Sequence, residues 1–215
     1  MQEKNHLSKK IDKLLMTGFD AFGGESINPA SEVVLELDDM KINDCQIIAR
    51  EIPTIYGESS VKVRAMIDEH KPDAVLHIGQ ASGTHGIRVE RVALNIDDAR
   101  IEDNEGNQPE DETIAEGGPL AYRVTLPTKD IVEAVKDEGI PAFLSYSAGT
   151  FVCNHVIYST AHHVNKNDLP IDYGFVHVPY LPEQAVDKNS RPPSMAKETI
   201  KRALITTIKT ITKER

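Results

Sequence analysis

The chain contains 215 residues, of which 40% are hydrophobic and 27% are charged, and its formal net charge at pH 7 is −10. This acidic balance argues against nucleic acid or an anionic membrane as a partner, because phosphate groups are bound by basic surfaces. No apolar stretch of about 18 residues is present and the N-terminus lacks a signal-peptide pattern, so we expect a cytoplasmic protein. The size fits a single domain over residues 11–215, after a mobile polar lead-in over residues 1–10.

Strand and helix signals alternate along the chain. The first strand is predicted over Lys13–Thr17, and a helix begins at Asn28, a good N-cap followed by Pro29 at the first helical position. Further strands are predicted over 46–51, 74–78, 142–146 and 173–178, and further helices over 59–70, 131–138, 151–163 and from 194 onward. This alternation predicts an α/β fold whose mainly parallel sheet is covered on both sides, with sites beyond the carboxyl ends of its strands.

Two intermediate segments and the last helix carry further signals. In Ile87–Ile96, a strand would place Glu90 on an otherwise apolar face, which is costly unless the carboxylate has a partner. A surface pair with Arg88 or Arg91 is the alternative. Residues 97–120 form a long, acidic, turn-rich loop, of a length that is more often functional than idle. The last helix carries an amphipathic face made by Ile200, Leu204, Ile208 and Ile211.

Cys153 is the candidate nucleophile of the chain. It follows the turn Ser147–Thr150, where Thr150 or Gly149 can cap the next helix and leave Cys153 in its first turn. The free N–H groups and the helix dipole at that position favour thiolate over thiol and can stabilise an oxyanion. The alternative is a small buried core residue. Cys45 has no such context, no CxxC motif is present, and both thiols are expected to be free.

A cysteine nucleophile needs a base, and the base needs a group that orients it. Among eight histidines, His177 lies near the end of the predicted strand 173–178, where α/β sheets place their chemistry. A core histidine is the alternative at this position. Glu90 is the candidate for the orienting carboxylate.

Four segments carry a resemblance to a known family. They are TGFDAFGGESINPA (17–30), ERVALNIDDARIEDNEGNQP (90–109), SYSAGTFVCNHVIYS (145–159) and GFVHVPYLPEQ (174–184). In this order they resemble the type I pyroglutamyl peptidases, or pyrrolidone-carboxylate peptidases, a family of cysteine peptidases. The resemblance extends from about Leu14 to the C-terminal helix.

The resemblance implies a fold, an activity and a set of site residues. The implied fold is a three-layer αβα sandwich with a twisted, mainly parallel sheet, as in phosphorylases and hydrolases, commonly assembled as a homotetramer. The implied activity is removal of N-terminal pyroglutamate (5-oxoproline) from peptides without a metal or organic cofactor. The family's Glu–Cys–His triad falls on Glu90, Cys153 and His177. Arg100 falls near the reacting carbonyl, as oxyanion or structural support. The implied pyroglutamyl pocket consists of Phe19, Phe22, Gln80, Phe151 and Val152.

The chain departs from the family pattern at three positions. Thr84 replaces the usual arginine, Arg88 replaces the usual serine or threonine, and Glu102 replaces the usual proline. Arg88 can pair in the neighbourhood of Glu90 or alter loop packing. The loss of the proline is expected to loosen the loop over 97–120.

Two other functions stay open on the sequence alone. A nucleoside phosphorylase-type enzyme would use the Gly23–Gly24 loop to hold phosphate, although the chain lacks a GxxxxGK[ST] motif. A non-catalytic binding protein on the same fold would follow if the changes at Thr84 and Arg88 had disabled the triad.

Overall fold

A computed structural model describes residues 10–213, so almost all of the predicted lead-in over 1–10 lies outside the described residues. The strands are β1 Lys13–Phe19, β2 Lys41–Ile42, β3 Cys45–Ile52, β4 Ala74–Gln80, β5 Ile87–Glu90, β6 Val92–Leu94, β7 Ala121–Arg123, β8 Ala142–Ser145 and β9 Asp172–Val178. The helices are α1 Pro29–Val34, α2 Glu58–His70, α3 Thr128–Asp137, α4 Val152–Lys166, α5 Pro182–Ala185 and α6 Lys197–Ile211. None of these helices is both long and apolar enough to cross a membrane.

Seven of the strands form one sheet in the order β2-β3-β1-β4-β9-β5-β8. The pairs β1–β3, β1–β4, β4–β9 and β5–β8 are parallel, whereas β2–β3 and β5–β9 are antiparallel. Strands β6 and β7 form a separate antiparallel pair. The prediction of an α/β fold with a mainly parallel sheet is confirmed.

Helices cover both faces of the sheet, which gives the three expected layers. Residues of α1, α3 and α6 pack on one face with side chains such as Leu14 and Met16 of β1. Residues of α2 and α4 pack on the other face with Leu15 of the same strand. Because β1, β4 and β9 are buried on both faces, these strands read as continuous apolar runs. The predicted apolar face of α6 is confirmed, since Ile200, Leu204, Ile208 and Ile211 are all buried.

The segment Ile87–Ile96 does not form one strand, so Glu90 and Val92 do not share the face that a single strand would give them. The strand breaks at Arg91, so that β5 lies in the large sheet and β6 pairs with β7 in the small one. Glu90 is fully buried, while Val92 is only half-buried. The segment must pair with the large sheet through β5 and with β7 through β6. The break at Arg91 lets each half keep its own partner strand. The predicted helix from residue 194 also begins later, at Lys197.

Candidate active site

A cavity of about 430 Å³ opens beside the carboxyl ends of β1, β4 and β9. This is the location expected for a site in an α/β sheet. Its walls come from the segments after β1 and β4, from the turn between β8 and α4, and from the long loop over 97–120. The side chains on these walls include Phe22, Gln80, Arg88, Arg100, Phe151, Cys153 and His177.

Cys153 is the second residue of α4, as its predicted position in the first helical turn requires. The predicted cap is wrong. Phe151, in an extended conformation, is the N-cap and makes no side-chain capping bond. The Thr150 hydroxyl instead donates to the carbonyl of Asp98, 2.7 Å away, and so ties the turn to the long loop. The turn itself needs a glycine, since Gly149 has a φ of 81°.

The thiol of Cys153 is half-buried and faces the cavity. Burial raises the pKa of this thiol to about 12, and the charge of Glu90 adds to the rise. The backbone N–H of Cys153 and the charge of Arg88 act in the opposite direction. The prediction that the helix terminus makes thiolate the favoured form is therefore wrong here, because desolvation outweighs the helix end. The thiol rests with its proton and needs a nearby base.

Glu90 and His177 form a buried hydrogen-bonded pair on neighbouring antiparallel strands. His177 Nδ1 lies 2.8 Å from Glu90 Oε1. A carboxylate only accepts hydrogen bonds, so Nδ1 carries the proton and donates it to this bond. In the neutral ring, Nε2 is then left as the acceptor. His177 also lines the cavity that contains the cysteine thiol. The arrangement puts an oriented base and a nucleophile on the wall of one cavity.

Arg88 also contacts Glu90. Its Nη2 lies 3.2 Å from the same Oε1 atom that receives His177, while Glu90 Oε2 is buried without a hydrogen-bond partner. The surface-pair alternative from the sequence is thus half correct, because the Arg88–Glu90 pair exists. It is not a surface pair, since the Glu90 side chain is 0% exposed.

Phe22 and Phe151 form an aromatic wall of the cavity, with ring centroids 5.9 Å apart. Tyr56 supports Phe151 from behind in an edge-on contact at 5.6 Å. Phe19 and Val152, the other apolar residues assigned to the pocket, do not line the cavity. Both side chains are buried in the core between the sheet and α4, so their placement in the pocket wall is corrected.

Gln80, at the end of β4, reaches the cavity with its amide held in one orientation. Gln184 Nε2 donates to Gln80 Oε1 over 2.8 Å, and the Gln184 amide is itself fixed by Ile27 O and the N–H of Leu181. The Nε2 donor of Gln80 is thereby left for a ligand. Sequence reasoning missed Gln184, although it lies within the segment GFVHVPYLPEQ.

The loop over 97–120 supplies part of the cavity wall, including Arg100. Although the loop is acidic, two of its carboxylates, Asp97 and Asp103, are buried. Asp97 accepts a hydrogen bond of 2.7 Å from His155 Nδ1 on α4. Asp103 receives several bonds that include the backbone N–H of Tyr56, and those bonds lower the pKa of its carboxyl against the opposing effect of burial. Both acids therefore anchor the loop to the domain.

Within residues 10–213, no group of three or more His, Cys, Asp or Glu side chains is arranged to hold a metal ion. Both cysteines are free, and Cys45 is buried in the core. Burial raises the pKa of the Cys45 thiol to about 11. Its expected structural role fits this position.

A cysteine at a helix start and a histidine that a buried carboxylate orients, on the wall of one cavity, define the class of cysteine hydrolases. A family model described as pyroglutamyl peptidase matches residues 12–214. Pyrrolidone-carboxylate peptidases of Bacillus cereus (strain G9842) and Clostridium botulinum (strain Alaska E43 / Type E3) are 51% and 53% identical to this chain. These alignments cover 89% and 92% of this chain and 88% and 92% of the relatives. The crystal structure of pyroglutamyl peptidase I from Bacillus amyloliquefaciens is 44% identical and superposes with a TM-score of 0.90, over 95% of this chain and 97% of that one. The chain belongs to the pyroglutamyl peptidase family.

Proposed function

We propose that this protein removes N-terminal pyroglutamate from peptides, with Cys153 as nucleophile, His177 as general base and acid, and Glu90 as the group that orients His177. The observation that carries the residue roles is the 2.8 Å bond between His177 Nδ1 and a fully buried Glu90, at a cavity that also contains the cysteine thiol. Family membership supports the substrate class.

Proton transfer comes first in the proposed reaction. His177 donates its Nδ1–H to Glu90, and it accepts the thiol proton at Nε2. Because burial raises the pKa of the Cys153 thiol, a free thiolate is unfavourable, and the transfer accompanies attack on the carbonyl that joins pyroglutamate to the next residue. The carbon–nitrogen bond then breaks as His177 returns its proton to the departing amine. Water, activated by the same histidine, hydrolyses the thioester.

The developing oxyanion needs donors at the same place. The backbone N–H of Cys153, which lowers the pKa of its own thiol, is one candidate. Arg100, on the cavity wall, is the second candidate. Loss of one such donor typically costs about 3–4 kcal/mol of transition-state stabilisation.

The pocket suits a small, flat, uncharged ring. Phe22 and Phe151 offer apolar surface, and the Gln80 amide offers a donor for a lactam carbonyl. A free N-terminal glutamate or glutamine would carry its charged amine into the same place and lose hydration there. This penalty would favour the uncharged lactam.

Release of pyroglutamate from a fluorogenic pyroglutamyl amide tests the proposal. We expect Cys153→Ala to abolish turnover with the fold retained, and Cys45→Ala, the matched control in the core, to keep kcat. A thiol blocker should inactivate the enzyme and the Cys45→Ala variant alike. Near-normal turnover by Cys153→Ala would remove the proposed nucleophile.

We further propose that the protein acts in the cytoplasm as a homotetramer. Two free cysteines support the compartment, because thiols stay reduced in the cytosol. Leu120 and Val186, which are 89% and 75% exposed, offer apolar surface for self-association. Light scattering coupled to gel filtration tests the assembly: a mass of four chains is expected, and a monomer at micromolar concentration would contradict it.

A further inference from the structure

Arg88 stands at the centre of the catalytic face of the sheet. In the antiparallel register between β5 and β9 it lies directly opposite His177. Side chains alternate along a strand, so Arg88 and Glu90 share one face of β5. Ile87 and Val89 point to the other face, into the core with α1, α3 and α6. The guanidinium therefore belongs to the same layer as the base and its orienting acid.

Arg88 offsets the charge of the buried Glu90 in this layer. The Glu90 side chain is fully buried. Its Oε1 accepts the hydrogen bond from His177 and forms an ion pair with Arg88, and its Oε2 has no hydrogen-bond partner. A buried carboxylate with an unpaired oxygen is costly. A guanidinium keeps its charge at all working pH values. At 3.2 Å it offsets the carboxylate charge and leaves the hydrogen bond from His177 to Glu90 in place.

Arg88 is also fixed by the turn that carries the nucleophile. Its Nη2 donates to the hydroxyl of Ser145, 3.0 Å away, and to the carbonyl of Ser147, 2.9 Å away. Ser145 ends β8, and Ser147 lies in the turn that leads to Cys153. One guanidinium thus connects the orienting acid to the segment that positions the sulfur.

We propose that Arg88 is a positioning residue for the triad, which holds Glu90 in line with His177 and balances its charge so that His177 stays neutral and able to accept the cysteine proton. The inference rests on the proposed function, whose base it serves. It assigns a role to a residue outside the triad of Cys153, His177 and Glu90.

The charged groups around His177 are few. Glu90 and Arg88 face it from β5, Cys153 faces the cavity from α4, and the surrounding walls add Asp98 and Arg100 from the loop and Glu25 after β1. On its own strand the neighbour is Phe175, whose ring centroid lies 4.6 Å from that of His177. Arg88 is the cation in direct contact with the carboxylate that binds the histidine.

Three substitutions separate the charge of Arg88 from its hydrogen bonds. Arg88→Lys keeps the charge, Arg88→Gln keeps a donor without the charge, and Arg88→Met keeps neither. Arg91→Met is the matched control, because it removes a cation three residues away whose guanidinium contacts the Tyr146 side chain. The measurement is the pH profile of kcat/KM for a pyroglutamyl amide, with thermal unfolding of every variant.

We expect Arg88→Gln and Arg88→Met to move the acid limb of kcat/KM upward by about half a pH unit to one unit, because an uncompensated Glu90 holds a proton on the pair more tightly. Arg88→Met should also lower the plateau about 10- to 100-fold through misplacement of Glu90. Arg88→Lys and Arg91→Met should leave the acid limb in place. If Arg88→Met does not fold, the Gln and Lys variants carry the same comparison.

If the acid limb of kcat/KM is unchanged in Arg88→Gln and Arg88→Met, the inference is overturned. The proposed function still stands in that case if the unmodified enzyme releases pyroglutamate. An equal movement in Arg91→Met would also overturn it, since general surface charge would then explain the effect. If the unmodified protein releases no pyroglutamate, the proposed function fails by itself. NMR titration of the His177 ring in the same variants still tests the role of Arg88: a ring that titrates identically in Arg88→Gln contradicts it.

Discussion

Packing alone does not explain why a carboxylate, Glu90, lies at this buried position. A leucine in its place would fill the same volume without the desolvation of a carboxylate. The charge is retained where one oxygen can hold His177 at 2.8 Å in the tautomer that a base requires. At the scale of single residues, the site is therefore recognised by a costly group with a specific partner.

Replacement of Glu90 by glutamine should lower kcat far more than it changes KM. The amide keeps the shape but offers a carbonyl or an NH₂ group in place of a charge, so that His177 loses both its fixed tautomer and the stabilisation of its protonated form. We expect a loss of kcat of about 100-fold or more, measured with a fluorogenic pyroglutamyl amide, and KM within about threefold. Retention of full kcat would make Glu90 a structural acid.

Gln184 should act on substrate binding instead of chemistry. Gln184→Met keeps the volume but removes the donor that holds Gln80 Oε1 at 2.8 Å, so the Gln80 amide can turn over. One misdirected hydrogen bond corresponds to roughly tenfold in KM, with kcat changed little. Gln46→Met, on β3 away from the cavity, is the control. An unaltered KM in Gln184→Met would show that Gln80 does not need this support.

At the scale of elements, the site depends on the close approach of α4 to the sheet. Gly79 of β4 lies beside His177 in the parallel register with β9. A Cβ atom at this glycine would lie 2.8 Å from Phe175 Cζ and 3.0 Å from the Cys153 sulfur. The absence of a side chain at this position leaves the space that the sulfur occupies.

Gly79→Ala should therefore impair catalysis beyond its effect on stability. The added methyl must displace the sulfur or the Phe175 ring, which costs about 1–3 kcal/mol of unfolding free energy and moves the nucleophile. Gly174→Ala is the control, because its Cβ would meet Leu126 Cδ1 at 2.6 Å in the core, away from the sulfur. Thermal unfolding should show losses in both variants, whereas kcat should fall about tenfold or more only in Gly79→Ala. Equal kcat in the two would contradict this role of Gly79.

Local sequence signals predicted those parts of the site that are set by neighbours along the chain. The place of Cys153 in a first helical turn follows from a strand, a glycine turn and a helix in succession. The position of His177 follows from a strand end. The raised pKa of the Cys153 thiol did not follow, because burial depends on the packing of α4 against a sheet whose strands lie far apart in sequence.

Contacts between distant segments account for the other differences. The break at Arg91 exists because the two strands have different partners. Strand β5 lies between β9 and β8, whereas β6 pairs with β7. The contact of Gln184 with Gln80 joins residues 104 positions apart. Phe19 and Val152 lie one layer below the cavity because the strand and helix that carry them turn those side chains into the core. No local pattern distinguishes these outcomes.

At the scale of the whole molecule, the sheet separates two cores, and His77 lies in the one beneath the site. Its side chain is 0% exposed and hydrogen-bonds with Thr17 at 2.7 Å and Thr160 at 3.0 Å. Burial lowers the pKa of His77 from 6.5 to about 3. The unfolded chain therefore binds a proton between these values while the folded chain does not, and stability falls as the pH falls through this window.

Urea unfolding at pH 7 and at about pH 5 measures this dependence. For His77 alone, the free energy of unfolding should fall by at most about 1–1.5 kcal/mol per pH unit below the unfolded pKa. His77→Gln, which can still bond to the two threonines, should be less stable at pH 7 but should lose less on acidification. An identical pH dependence in the variant would contradict a buried neutral histidine.

During turnover, the sulfur of Cys153 should carry the pyroglutamyl group as a thioester. Rapid acid quench of the enzyme with a pyroglutamyl ester, followed by peptide mass spectrometry, tests it directly. We expect one pyroglutamyl group on the peptide that contains Cys153, and none on the peptide that contains Cys45. Turnover at full rate with the group found on another side chain would contradict it.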